Sequence, residues 1–323
     1  MKQTLFDLFS LSSIIGIWPR FIEPRLITHT AYSITHKNFP HLHIIQLSDL
    51  HLSPFTSTSF LDKIISKTQN LKPDLITFTG DFLCYGRTDQ MERLQQFLNQ
   101  FSAPMGCYAI LGNHDYENYV GVLPNRNYGI KKASSPLNQV LKKFINKKLI
   151  PTGIVEPDTI GIKPQKQLID VLKNSPFKLL HNETISLEKI NIAGVGEYMC
   201  SDINTEKTFK NWDTHKPGLV LLHNPDGLNE LKKSPGEIVL SGHTHGGQVN
   251  LPWVRDHFLM VENPKRRHGH FQLEQKQLIV HRGLGATFPF RFKAMPEIVS
   301  LYLSSHSRLN IKSPVLIARL SRG

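Results

Sequence analysis

Five short polar motifs, each placed directly after a short apolar run, limit this chain more than any other feature. They are Asp49-Leu50-His51, Gly80-Asp81, Gly112-Asn113-His114-Asp115, His223-Asn224-Pro225 and Gly242-His243-Thr244-His245. The runs before them, 41–49, 74–81, 106–113, 218–223 and 237–241, are rich in Ile, Val and Leu, as buried sheet strands are. Further strands are predicted over 190–197, 278–281 and 297–303. Helical patterns lie between several of them, most clearly over 60–71 and 89–101, where Pro73 and Pro104 stop them. The alternation predicts an α/β protein of layered sheets and helices. In open sheets of that class the loop after a strand is where ligands bind, and glycine there lets the backbone turn tightly and approach a ligand.

Pooled, these loops offer carboxylates, imidazoles and one amide, and no thiolate. Such a set suits manganese, iron or zinc better than calcium or magnesium. The D-x-H and H-x-H spacings put both side chains of a pair on one side of an extended segment. The seven candidate ligands, Asp49, His51, Asp81, Asn113, His223, His243 and His245, are too many for one tetrahedral ion. They suit two ions sharing a carboxylate. Two such ions, roughly 3.5–4 Å apart, clamp the attacking and leaving oxygens of an in-line displacement at phosphorus. Their charge exceeds that of Asp49 and Asp81, which favours a phosphate and acidifies a bound water. A lone D-x-H or H-x-H is more often structural, and Asn113 alone could be a turn former. The complete ordered set is what speaks for a metal centre.

The series SDLH, GD, GNHD, LLHNPDG and SGHTHGGQ, with the late HRGLGATFPFRF (281–292) and PEI (296–298), resembles the calcineurin-like metallophosphoesterase superfamily in its small bacterial branch. The likeness runs over about residues 43–303. It implies a four-layer α-β-β-α sandwich. It also implies that Asp49, His51 and His245 hold one ion, Asn113, His223 and His243 the other, and that Asp81 bridges them. His114 would bind no metal and would face the phosphate, stabilising the transition state or protonating the leaving oxygen. One departure is informative. Protein phosphatases of this superfamily continue the second motif as GD-x-x-DRG, whereas here Cys84 and Tyr85 stand in place of the aspartate and arginine. That counts against a Ser/Thr protein phosphatase and leaves Asp115 either to orient His114 or to serve the backbone.

Composition narrows the partner. The chain has 323 residues, 40% apolar and 20% charged, an ordinary globular mix that excludes wholesale disorder. Its formal charge of +12 favours an anionic partner. Residues 116–180 hold eleven Lys or Arg against four Asp or Glu. Within them Leu137, Val140, Leu141, Phe144, Ile145 and Leu149 form a helical apolar stripe bordered by Lys142, Lys143, Lys147 and Lys148. A basic amphipathic helix of this kind can lie on anionic lipid or cover an acyl-binding groove, although an ordinary surface helix shows the same pattern. Prolines 124, 136, 151, 157 and 164 predict an irregular cap rather than another strand pair. The expected organisation is an amphipathic segment over 1–30, a catalytic domain over 41–305 with the cap inserted at about 116–180, and a basic tail over 306–323.

The first residues carry a second apolar face, through Leu5, Leu8, Ile15, Trp18 and Ile22, with Pro19 expected to end or kink the helix and Arg20 and Arg25 following. A helix packed on the domain and one lying in a membrane interface both fit. The uncharged stretch from Leu8 to Pro19 is short against the ~20 residues of a spanning helix, and an acidic Asp7 with no small-x-small site argues against an export signal. Three widely spaced cysteines make no disulfide framework or zinc ribbon and suit a reducing compartment.

A basic apolar cap beside a dinuclear site points to a substrate that is lipid and phosphate at once. In this the chain looks like the UDP-2,3-diacylglucosamine pyrophosphatases of lipid A synthesis, in the form found in some obligate intracellular bacteria. That likeness implies attack of water at the α-phosphorus, release of UMP and 2,3-diacylglucosamine 1-phosphate, two divalent ions with manganese favoured, and a peripheral place on the cytoplasmic side of the inner membrane. The membrane contacts would be residues 1–22 and the cap. Arg282 and Arg291 are added as candidate phosphate contacts. A general phosphodiesterase or nuclease would use the same centre, yet no aromatic run is interleaved with basic residues and no specific nucleic acid is expected. A non-enzymatic scaffold is disfavoured by the complete ligand set.

Overall fold

A computed structural model describes residues 13–132, 150–251, 255–257, 259–288 and 290–305. It contains two six-stranded sheets, with strands numbered along the chain. The first runs in the order β1 (Thr28–Thr35), β14 (Glu297–Ser304), β2 (Leu42–Leu47), β3 (Leu75–Thr79), β4 (Cys107–Ile110) and β7 (Phe177–Leu179). The second runs β12 (Gly269–Gln272), β13 (Gln277–Val280), β11 (Ile238–Ser241), β10 (Gly218–Leu221), β9 (Asn191–Gly194) and β8 (Glu183–Ser186). A hairpin of β5 (Val120–Val122) and β6 (Tyr128–Ile130) stands apart.

The two-residue period of a strand explains the layering. In β2, Ile44 enters the core between the sheets, where it meets Leu75, Ile110 and Val299 of its own sheet and Leu219, Leu240 and Ile279 of the other. Its neighbours Ile45 and Leu47 point the opposite way, into a second core. There the helices Thr58–Asn70, Met91–Leu98 and Lys166–Lys173 contribute Ile64, Leu94, Leu98, Leu168 and Leu172. The second sheet is covered on its far side by the helical turns Thr205–Phe209 and Pro225–Leu231, through Phe209, Leu228 and Leu231. The result is the expected α-β-β-α order. Because β2, β3 and β4 are mutually parallel, as are β10 and β11, the motif-bearing ends of each set emerge together.

Several expectations are corrected. The segment 116–180 does contain a strand pair, the β5–β6 hairpin, despite its prolines. Its end is no cap either: Lys166–Lys173 packs in the helical layer and β7 pairs in parallel with β4, extending the first sheet. Pro124 lies between β5 and β6, and Pro151, Pro157 and Pro164 lie between β6 and the helix Lys166–Lys173, where a missing N–H costs little of the sheet ladders. Pro19 does not end the first helix. The described part, Ser13–Ile22, is wound as a π-helix straight through it and passes into a turn at Glu23–Arg25. The carbonyl of Pro19 accepts the Arg291 N–H at 2.8 Å, and the buried Glu23 accepts the Ala294 N–H at 2.7 Å, which docks the segment on the loop between β13 and β14. The lysine-bordered stripe over 137–149 and the tail over 306–323 lie outside the described residues. No helix among the described residues is long and apolar enough to cross a membrane. All three cysteines are buried free thiols.

Candidate metal centre

The motif loops turn back sharply as they leave the strands. Asp49 (φ 53°), His51 (φ 44°), Asp81 (φ 59°), His243 (φ 67°) and His245 (φ 50°) all occupy the left-handed region, which non-glycine residues seldom adopt. Each such residue costs on the order of 1–3 kcal/mol, and clustering of that strain is characteristic of sites the surrounding structure holds in place. Glycine serves the close approaches. A Cβ on Gly112 would lie 2.3 Å from Asp81 Oδ1, and one on Gly285 would lie 1.8 Å from the Leu50 carbonyl oxygen.

The strain brings the predicted ligands into one cleft. Asp49, His51, Asp81 and His245 present ligand atoms within 4.8 Å of one another, and Asp81, His223 and His243 form a second such group. Asp81 belongs to both. Its Oδ2 lies 3.3 Å from His51 Nε2 and 3.2 Å from His223 Nε2, while its Oδ1 accepts the His114 N–H at 2.9 Å. Asn113 Oδ1 lies 3.0 Å from His243 Nδ1, and the amide is turned that way because its Nδ2 donates to the Val120 carbonyl at 2.7 Å.

Backbone carbonyls fix which imidazole nitrogen faces the cleft, because a carbonyl can only accept. His51 Nδ1 reaches the Leu83 oxygen at 3.0 Å and His223 Nδ1 the Thr79 oxygen at 2.6 Å, so both turn Nε2 inward. His243 Nε2 faces the Met260 oxygen at 3.3 Å, so its Nδ1 is inward. His245 differs: Arg291 approaches its Nδ1 at 3.2 Å and can only donate, while His245 Nε2 meets His51 Nε2 at 2.9 Å. Asp49 Oδ2 is buried without a hydrogen-bond partner, and His223 Nε2 has only the Asp81 carboxylate beside it. Buried ligand atoms of this hardness, convergent on one cleft, fit a divalent cation.

Charge follows burial. Desolvation pushes Asp49 up to about 7, and lowers His51 to about 4 and His243 to about 3. Burial would also raise Asp81, but the imidazoles of His223, His114 and His51 hold it well below the carboxylate range. Burial opposes protonation of His223, yet the Asp81 carboxylate raises it well above its ordinary value. Without an ion the cleft therefore balances a carboxylate against an imidazolium.

His114 is buried at the edge of the cleft, beside the narrow opening it lines with His243 and His245. Its Nδ1 accepts the Tyr85 backbone N–H at 3.0 Å, which places the ring proton of the neutral form on Nε2. The ring centroid is 4.5 Å from that of His51, 4.2 Å from Tyr119 and 4.9 Å from Tyr85. The orienting group is thus a main-chain amide at the position where protein phosphatases carry arginine. Asp115 has the other role. Its carboxylate accepts backbone N–H groups of Asp81, Phe82, Leu83 and Gly112 at 2.7 to 3.2 Å, tying the second motif to the third.

The two arginine candidates are also corrected. Arg282 donates from Nε (2.9 Å) and Nη2 (2.7 Å) to Glu297 and reaches the Thr28 and Thr30 hydroxyls. Arg291 is fully buried and donates to the carbonyls of Arg282, Gly285 and Ala294 besides His245. The Arg282 guanidinium is thus spent on β1 and β14, and that of Arg291 on the 282–294 loop. Lys142, Lys143, Lys147 and Lys148 lie outside the described residues. One contributor escaped the sequence reading: Asp226, in the NPDG motif, accepts the Glu262 N–H at 2.7 Å and the Asn263 N–H at 3.4 Å. It thereby anchors the strand of chain whose Met260 carbonyl holds His243. Its signal was its place beside His223, which turn chemistry alone explained equally well.

Comparisons with known proteins agree with this geometry. The model of the calcineurin-like phosphoesterase family matches residues 42–247. The chain is 37% identical over 315 residues to UDP-2,3-diacylglucosamine pyrophosphatase LpxG of Chlamydia trachomatis serovar D, covering 92% of this chain and 95% of that one. It is 38% identical over 312 residues to the protein of the same name in Chlamydia muridarum, covering 90% and 94%. It is also 29% identical over 299 residues to the uncharacterized metallophosphoesterase YkuE of Bacillus subtilis, covering 89% of each.

Proposed function

The chain belongs to the calcineurin-like phosphoesterase family, and from that membership we propose that it hydrolyses the pyrophosphate bond of UDP-2,3-diacylglucosamine. The coarser statement needs no proposal: it is a metal-dependent phosphoester hydrolase of a family built on a dinuclear site. The observation that carries the substrate is end-to-end likeness, at 37% and 38% identity, to relatives named for that activity.

In this reading Asp49, His51 and His245 would hold one ion and Asn113, His223 and His243 the other, with Asp81, common to both donor groups, serving each. When bound, the ions neutralise phosphate charge and make a water nucleophilic near neutral pH. Manganese fits the mixed donor set, as iron and zinc do. The water oxygen forms a bond to the α-phosphorus while the bond from that phosphorus to the bridging oxygen breaks. The bridging oxygen leaves on 2,3-diacylglucosamine 1-phosphate, and the other product is UMP. His114 Nε2–H, held in place by the Tyr85 amide, donates to phosphoryl oxygen as negative charge develops there.

A peripheral position on the cytoplasmic face of the inner membrane belongs to the same proposal. Its support is the row of exposed apolar side chains Ile17, Trp18, Phe21, Ile22 and Leu26 beside Arg20 and Arg25. The test is a substrate panel. With manganese, the purified protein releases UMP from UDP-2,3-diacylglucosamine far faster than it cleaves bis-p-nitrophenyl phosphate or a cyclic nucleotide. Equal rates across the panel would return it to a general phosphodiesterase.

A further inference from the structure

A cavity of about 200 Å³ opens directly beside the metal centre. At its inner end it is lined by His51, Cys84, Tyr85 and Thr287. Thr287 also lines the narrow opening over His114, His243 and His245, so the two spaces share a wall. The sides are formed by Leu52, Pro54, Phe60, Leu284 and Ala286, and the lip by Phe55, Arg20 and Arg25. We propose that this cavity, walled on one side by the N-terminal segment, seats an acyl chain of the substrate, with Arg20 and Arg25 facing anionic groups at its mouth.

Four observations converge. The cavity reaches His51, so its occupant would lie beside the metal centre, within reach of the reacting phosphate. Most of the lining is carbon. Several lining hydroxyls are already engaged: Thr56 Oγ1 accepts the Ser53 N–H at 3.2 Å, Ser57 Oγ accepts the Phe60 N–H at 3.3 Å, and the Tyr85 hydroxyl donates to the Thr287 carbonyl at 3.4 Å. Arg87 is paired with Asp89 at 3.2 Å, whereas neither Arg20 nor Arg25 has a carboxylate partner among the described residues. The lip continues into apolar surface: Phe55 is 78% exposed, and Trp18 and Phe21 are 41% and 48% exposed. Apolar walls, arginines at the rim with no carboxylate partner among the described residues, and an apolar apron fit an anionic lipid drawn from a bilayer. They do not fit a nucleoside, whose base needs free hydrogen-bonding partners. The choice of an acylated phosphate rests on the proposed function, but the geometry of the seat does not.

Ala286→Trp fills the cavity, and Phe55→Ser removes its lip at a position that bears no core packing. Two readouts separate the ideas. One is the ratio of kcat/KM for long-chain against short-chain UDP-diacylglucosamine. The other is equilibrium binding of dansylundecanoic acid to the full chain, which needs no turnover. Ala286→Trp should lower the ratio at least tenfold, mainly through KM, and abolish probe binding; Phe55→Ser should shift both in the same direction by less. Unchanged ratio and unchanged probe binding in both variants overturn the acyl seat, as does displacement of the probe by UMP. If the parent protein binds the probe, loses it on Ala286→Trp and yet fails to hydrolyse UDP-diacylglucosamine, the seat stands and the proposed substrate falls.

Discussion

His114 shows how much one main-chain contact decides. With Nδ1 occupied by the Tyr85 amide, its Nε2 bears the proton that can meet phosphoryl oxygen. His114→Ala should therefore lose about 10²–10⁴-fold in kcat while metal content, read by atomic emission, stays at the parent level. Asp81→Asn should lose both activity and bound metal, because Asp81 is common to both donor groups. The shifted ionisations give a pH signature. Below about 7 an entering ion displaces protons from Asp49 and His223; above it, Asp49 is already ionised and His223 still gives one up. His51 and His243, lowered to about 4 and about 3, are neutral throughout this range. Metal affinity should rise with pH, and its slope should fall by about one proton on crossing pH 7. Titration calorimetry in buffers of different ionisation enthalpy measures that count directly.

Loops and strands explain what the amino-acid pattern could and could not reveal. The motif strands were legible because β3, β4, β10 and β11 are buried along their whole length and so read as unbroken apolar runs. The ligands were legible because short motifs carry them. β1 escaped because Thr28–Thr35 lies at a sheet edge with only Ile34 buried, leaving little apolar signal. The β5–β6 hairpin escaped because its strands are three residues long and Pro124 interrupts the chain between them. The roles of Arg282 and Arg291 escaped because the acceptors they serve are contributed by distant folding, not by neighbours in the chain. Asp115 illustrates the cost of such hidden bonds. Asp115→Ala strands four buried backbone N–H groups and should cost about 3 kcal/mol or more. Chemical denaturation reads the loss, and metal binding should weaken with it because Asp81 and Gly112 lose a common tether.

Across the whole molecule the N-terminal segment is fastened at one side and bare at the other. Pro19 and Glu23 hold it to the Arg291–Ala294 stretch, while Phe21 and Ile22 remain 48% and 40% exposed. Phe21→Ser with Ile22→Ser should reduce co-flotation with anionic vesicles severalfold and leave the melting temperature within a few degrees, since neither side chain packs in a core. Equal flotation of parent and variant would remove this segment from the membrane account. The parallel pairing of β1 with β14, Thr28 against Glu297 through Thr35 against Ser304, carries a temporal meaning as well. β1 joins its sheet through β14 alone. During synthesis β1 cannot find its pairing neighbour until residues 297–304 have left the ribosome. The segment Ser13–Arg25 ahead of that strand is made long before the Arg291–Ala294 stretch that fastens it, so its docking waits on the other end of the fold.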